Sequence, residues 1–166
     1  MMAPLFVLGQ YLDSPADYSK ECEERISGLG EELSRLLAVS LSHGSDMNYN
    51  AGQRLGTYLL ADRSPTQDPR AATYSLGIWI STKGPLWTLL LHRGEPGKAE
   101  WFPAPLSEVA GTPEVDSLLH TIETYLRSKG YTRISEEALD EMLPDKETEM
   151  DGAPATVRDV FFCEIC

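Results

Sequence analysis

The spacing of apolar residues changes twice along the chain, and this limits the fold more than any other feature. Tyr74, Leu76, Ile78 and Ile80 alternate with Thr73, Ser75, Gly77 and Ser81, the two-residue repeat of a strand with one face in a core. Trp79 interrupts the polar face. Before this stretch Cys22, Ile26, Leu29, Leu33, Leu36 and Leu37 fall on one stripe at helical spacing, opposite Glu23, Glu24, Glu31, Glu32 and Arg35. Asp13-Ser14-Pro15 offers an N-cap and a first-turn proline, so a helix of about 25 residues is predicted from Ser14, ending at His43-Gly44-Ser45-Asp46. Gly28 and Gly30 each cost roughly 1 kcal/mol relative to Ala, which leaves room for a bend or break.

The strand-like region runs from Leu55 to Phe102. An early strand is expected at Leu55–Asp62, and Thr82-Lys83-Gly84-Pro85 reads as the turn of a hairpin joining the alternating segment to Leu86–Arg93. Arg93-Gly94-Glu95-Pro96-Gly97 is a second turn, leading to a short strand at Lys98–Phe102. Thr112 and Pro113 then open a helix predicted to run to Ser128, with Val115, Leu118, Leu119, Ile122, Tyr125 and Leu126 on its apolar face and Gly130 as its C-cap. Ser135 opens a short third helix ending before Pro144. From Thr156 onward a capping-box pattern with Asp159 favours helix, while the β-branched and aromatic content suits a strand.

This order predicts one α+β domain over residues 1–166: an antiparallel meander of about four strands, with a long N-terminal helix and C-terminal helices packed on one face. At 166 residues the chain can bury a core without disulfides or a structural metal. No apolar run is long enough to span a bilayer. Met1–Leu12 lacks the basic start and long apolar centre of a signal peptide, so the mature chain is expected to begin at or near Met1. Three cysteines, an odd number, point to a reducing cytoplasm.

Catalytic signatures are missing. The sequence contains no phosphate-binding glycine loop, nucleophile elbow or zinc-protease helix. Cys163-Glu164-Ile165-Cys166 has redox spacing, yet no residues follow to build the helix whose dipole would activate the thiol, and no second ligand pair completes a zinc site. Of the histidines, His43 is predicted in a loop and His120 off the apolar face of its helix; His92, beside Arg93 near a strand end, best suits a cleft. Neither a cofactor nor a metal is expected, and the chain is read as no enzyme.

Charge is the more informative property. Acidic residues number 26 against 14 basic ones, for a net charge of −12, which disfavours nucleic acid as a partner. The excess is uneven: residues 13–32 carry −5 and residues 134–151 carry −7, whereas residues 52–100 carry +2. If the first and third helices share a side, they make one negative surface suited to a basic protein. In this profile alone the chain resembles inhibitors and immunity proteins that neutralise bacterial toxins, a likeness of composition carried by no motif. It implies a non-catalytic binding module, an immunity- or antitoxin-type inhibitor of a basic partner such as a bacterial toxin. The expected contact residues are Glu23, Glu24, Glu136, Glu137, Asp140, Glu141, Asp145, Glu147 and Glu149, with Trp79 and Trp101 as an aromatic patch. Two alternatives stand beside it. One is a small-ligand-binding protein or enzyme with a cleft near His92 and Arg93; the other is a structural subunit or homodimer joined through the sheet face.

Overall fold

The computed structural model describes residues 8–38, 51–60, 73–95, 97–147 and 152–162. Helix α1 spans Lys20–Leu37. It starts later than the Ser14-Pro15 signal predicts because Ser19 takes the cap: its hydroxyl accepts from the Cys22 N–H, while Asp17 accepts from the Ser19 N–H. The helix continues through Gly28 and Gly30 and stops at Ala38, which turns into the left-handed region with φ 54°. His43 lies outside the described residues, as do Cys163 and Cys166.

Strands β1 (Gly52–Leu60), β2 (Thr73–Ser81), β3 (Leu86–Gly94) and β4 (Trp101–Ala104) form the antiparallel meander that the alternation predicts. The fourth strand sits a few residues later than Lys98–Phe102 because Trp101 pairs with Gly94 and Ala104 with Leu91. Pro103 is tolerated there because β4 is an edge strand. A 3₁₀ turn at Leu106–Glu108 leads to helix α2, Pro113–Ser128. The Thr112 hydroxyl caps it at the Val115 N–H, and Gly130 with φ 88° lets the chain reverse into β5, Thr132–Arg133. Strand β5 runs parallel to β3, a pairing the sequence reading lacks.

Helix α3 is one short turn, Glu136–Leu139, capped by Ser135. The hairpin β6 (Met142–Glu147) and β7 (Pro154–Thr156) follows it and leads into helix α4, Val157–Phe161. The Thr156–Asp159 capping box closes in both directions, so the helical reading holds at Val157–Phe161.

The helices divide between the two faces of the sheet. On the first face Leu76, Ile78, Ile80, Trp87, Leu89 and Leu91 pack with Ile26, Leu29 and Leu33 of α1 and with Leu118, Ile122 and Leu126 of α2. Tyr125 locks the two helices together by donating its hydroxyl to Glu32 at 2.6 Å, which holds the Glu32 carboxyl below its usual range. The expectation that all helices pack on one face therefore applies to α1 and α2. The short C-terminal helices cover the opposite face, where Leu86 meets Ile134, Leu139, Leu143, Val157, Phe161 and Phe162, with Trp79 and Leu90 alongside. The physical reason is that β2 and β3 carry large apolar side chains on both sides, so one layer of helices leaves half of them in water.

Tyr11 near the first described residue and Phe162, the last, are both seated on this second layer. The ring of Tyr11 lies over Gly84, where a Cβ would come within 2.7 Å of it, and a Cβ on Gly52 would meet the Phe162 backbone at 2.6 Å. The Gly52 N–H donates to the Phe162 carbonyl at 3.1 Å. Gly52→Ala is accordingly expected to destabilise the fold by about 1–3 kcal/mol. Gly28→Ala, at an open helical position, is expected to stabilise it by about 0.5–1 kcal/mol. Urea denaturation of the two variants against the parent checks the opposite signs.

Candidate functional site

Two short strands share one edge of β3. β4 pairs with Leu91–Gly94 and β5 with Leu86 and Trp87, so Thr88, Leu89 and Leu90 have no strand partner on that edge among the described residues. The Thr88 hydroxyl instead donates to the Ile134 carbonyl at 2.9 Å, tying the chain after β5 down as it turns into α3. A cleft of about 380 Å³ opens beside this interruption. Leu90, Pro103 and Pro105 give it an apolar floor, and Glu136 and Glu137 of α3, with Asp140 at its end, line one wall with Arg158 of α4.

The wall is fixed by three local interactions. Ser135 holds the first turn of α3, where carboxylates are favoured by the free N–H groups. Both oxygens of Glu136 accept from the Leu106 N–H at 3.2 Å, which fastens α3 to the turn after β4. Arg158 donates to Asp140 at 3.2 Å and bridges α4 to α3. Glu137 is exposed and has no hydrogen-bond or ion-pair partner among the described residues.

His92 lines the same cleft and is half-buried. Burial first, and the Arg158 guanidinium second, hold its imidazolium below the ordinary 6.5, so the ring is neutral at pH 7. Arg93, its neighbour in sequence, points to the opposite face by strand alternation and binds Glu108 at 3.0 and 3.2 Å beside the Tyr74 hydroxyl. The expected His92/Arg93 pair is thus divided between the two sides of the sheet.

The two acidic groups are likewise separated. Glu23 and Glu24 are exposed on α1, which covers the first face, and Glu24 pairs with Lys20 at 3.8 Å. Glu136, Glu137 and Asp140 stand over the second face, with Glu141 exposed just after them and Glu147 exposed on β6. Glu149 and the Asp145 side chain lie outside the described residues. Trp79 is half-buried against the second core and leans over Gly77, while Trp101 is 47% exposed above Gly94. The structure therefore gathers only the α3 acids around a cavity.

Arg158, Pro103, Pro105 and Leu90 are not singled out from the sequence, and for the first three no local pattern marks a place in a cleft. Leu90 could have been found, since it shares the even-numbered face of β3 with His92. Among the described residues, no three His, Cys, Asp or Glu side chains group as a metal site, and no helix is long and apolar enough to cross a membrane.

Replacing Arg158 with Gln should raise the His92 pKa while leaving it below 6.5, because burial is the larger cause. With its folded value depressed, His92 favours the native state fully above its unfolded pKa, and this contribution is lost as pH falls through the folded one. An NMR titration of the ring protons checks both statements; a His92 midpoint unmoved in the variant would show that the two side chains do not sense each other.

No family model, curated protein or solved structure matches this chain.

Proposed function

We propose that the protein is a non-catalytic binding module of the cytoplasm that holds a basic protein, acting as an inhibitor that occupies a cationic surface such as the active site of a toxin. The observation that carries this reading is the cleft itself. Glu137 and Asp140 stand at the wall of an open apolar hollow, and Glu137 has no internal counter-charge among the described residues. A Lys or Arg side chain entering there lays its aliphatic stem on Leu90, Pro103 and Pro105 and presents its cation to the carboxylates. The net charge of −12 supports the same choice, since a molecule with so large an excess of acid draws a cationic partner in and repels polyanions.

A second reading is favoured by His92. A neutral imidazole in a cleft with carboxylates and a guanidinium nearby is also the equipment of a small-ligand site. Its weakness as a catalytic reading is geometric: no hydrogen bond links His92 to a carboxylate among the described residues, so nothing orients the ring as a base.

The two readings separate by experiment. A partner recovered with the tagged chain from its native cell should be basic. Its association rate should fall about tenfold or more between roughly 20 and 300 mM salt, and Glu137→Lys should lower it further. An association rate that is insensitive both to salt and to Glu137→Lys would remove the electrostatic reading.

A further inference from the structure

Among the described residues the cover on the second face is incomplete, and what it leaves bare is continuous with the cleft. Strand register places Leu59, Ser75, His92 and Pro103 in one row across β1, β2, β3 and β4, all on the second face. The next row holds Thr73, Gly94 and Trp101. The C-terminal layer packs on Trp79, Leu86 and Leu90 and stops short of these rows. Leu59 is consequently 64% exposed and Trp101 47% exposed, the two large apolar side chains at opposite ends of the strip. The α3 and α4 wall, with Glu137, Asp140 and Arg158, flanks the strip at His92 and Pro103.

We infer that this strip is a docking groove for an extended basic segment of the partner, one whose lysines or arginines alternate with apolar residues. The inference rests on the binding-module reading and adds the form of the ligand. Two arguments select the occupant. Leu59 and Trp101 stand three strand spacings apart, about 14 Å, which an extended segment of four or five residues spans. An extended segment sends alternate side chains to opposite sides, so apolar residues meet the strip while cations reach toward the acidic wall. The second argument is charge. A second copy of this chain would bring −12 against −12, whereas a cationic segment meets complementary carboxylates. The ring of Trp101 lies over Gly94, where a Cβ would sit 3.0 Å from it, so the glycine leaves room for the indole on the strip.

The probe is the peptide acetyl-Lys-Leu-Lys-Leu-Lys-amide, titrated at low salt against the full chain while tryptophan emission is followed. Binding should shift the emission of exposed Trp101 to the blue, and a peptide with Gly in place of Leu should bind roughly tenfold more weakly. Leu59→Lys and Trp101→Lys, both at exposed positions that tolerate charge, should each weaken binding roughly tenfold with unchanged circular dichroism. Equal affinity for the two peptides, or parent-like binding by both lysine variants, overturns the groove. If Glu137→Lys still abolishes binding in that case, the binding-module reading survives without it. Failure of the peptide to bind at any salt concentration also overturns the groove, whereas the partner's salt dependence judges the wider reading independently. A dimer in solution that Leu59→Lys makes monomeric would assign the strip to a second copy and overturn the basic segment as its occupant.

Discussion

The fold depends on one central pair of strands being apolar on both sides. Ile78 and Ile80 of β2 and Leu89 and Leu91 of β3 are sealed under α1 and α2, while Trp79, Leu86 and Leu90 project the other way. Each large side chain left in water forgoes about 1.5–3 kcal/mol of burial, so a second layer had to form. The chain builds it from short pieces: one turn of α3, the β6–β7 hairpin and α4, closed by Phe161 and Phe162. Short pieces cannot blanket a whole sheet face, and the end left uncovered by the described residues follows from that economy of length.

The interruption of the β3 edge has the same origin. Because β4 pairs with one half of that edge and β5 with the other, the chain must leave the sheet twice along a single strand. The exits are the Pro105 turn and the Ser135 cap, and Glu136 fastens one to the other. The cleft lies between them, and two of the acids on its wall, Glu136 and Glu137, sit in the first turn of α3, where the free N–H groups favour them. Fold and site thus share residues, and Glu136 is structural where Glu137, one position on, is exposed and unpaired among the described residues.

Much of the fold was legible in the sequence because two periods were strong. The alternation at Tyr74–Ile80 located β2, the turn at Gly84-Pro85 located β3, and the Thr112-Pro113 signal located α2 to the residue. What escaped notice was set by tertiary pairing. β5 is two residues long and owes its existence to the free half of the β3 edge, and β6 has the composition of an acidic loop, Met-Leu-Pro-Asp-Lys-Glu, with no apolar period. The site was legible in part. His92 was singled out from its place at a strand end, but alternation along β3 already separates it from Arg93. The α1 and α3 acids could not be assigned to one surface, because local pattern does not state which face of a sheet a helix covers.

That separation decides which charges act at the cleft. The exposed side of α1 stands off from the second face by a helix diameter and the thickness of the sheet, about 20 Å, while the screening length at physiological salt is about 8 Å. In the proposed complex Glu23 and Glu24 therefore belong to the far field that biases diffusional approach, and the contact itself falls to Glu137, Asp140 and Glu141. Steering of this kind raises the rate of encounter, but exposed ion pairs contribute only about 0–1 kcal/mol each and release quickly. Residence time then comes from apolar contact, and on the sheet face itself the large apolar side chains that remain open among the described residues are Leu59 and Trp101. In the proposed complex the acidic wall and the exposed Leu59 and Trp101 therefore divide the work of recognition, with charge governing arrival and buried area governing departure.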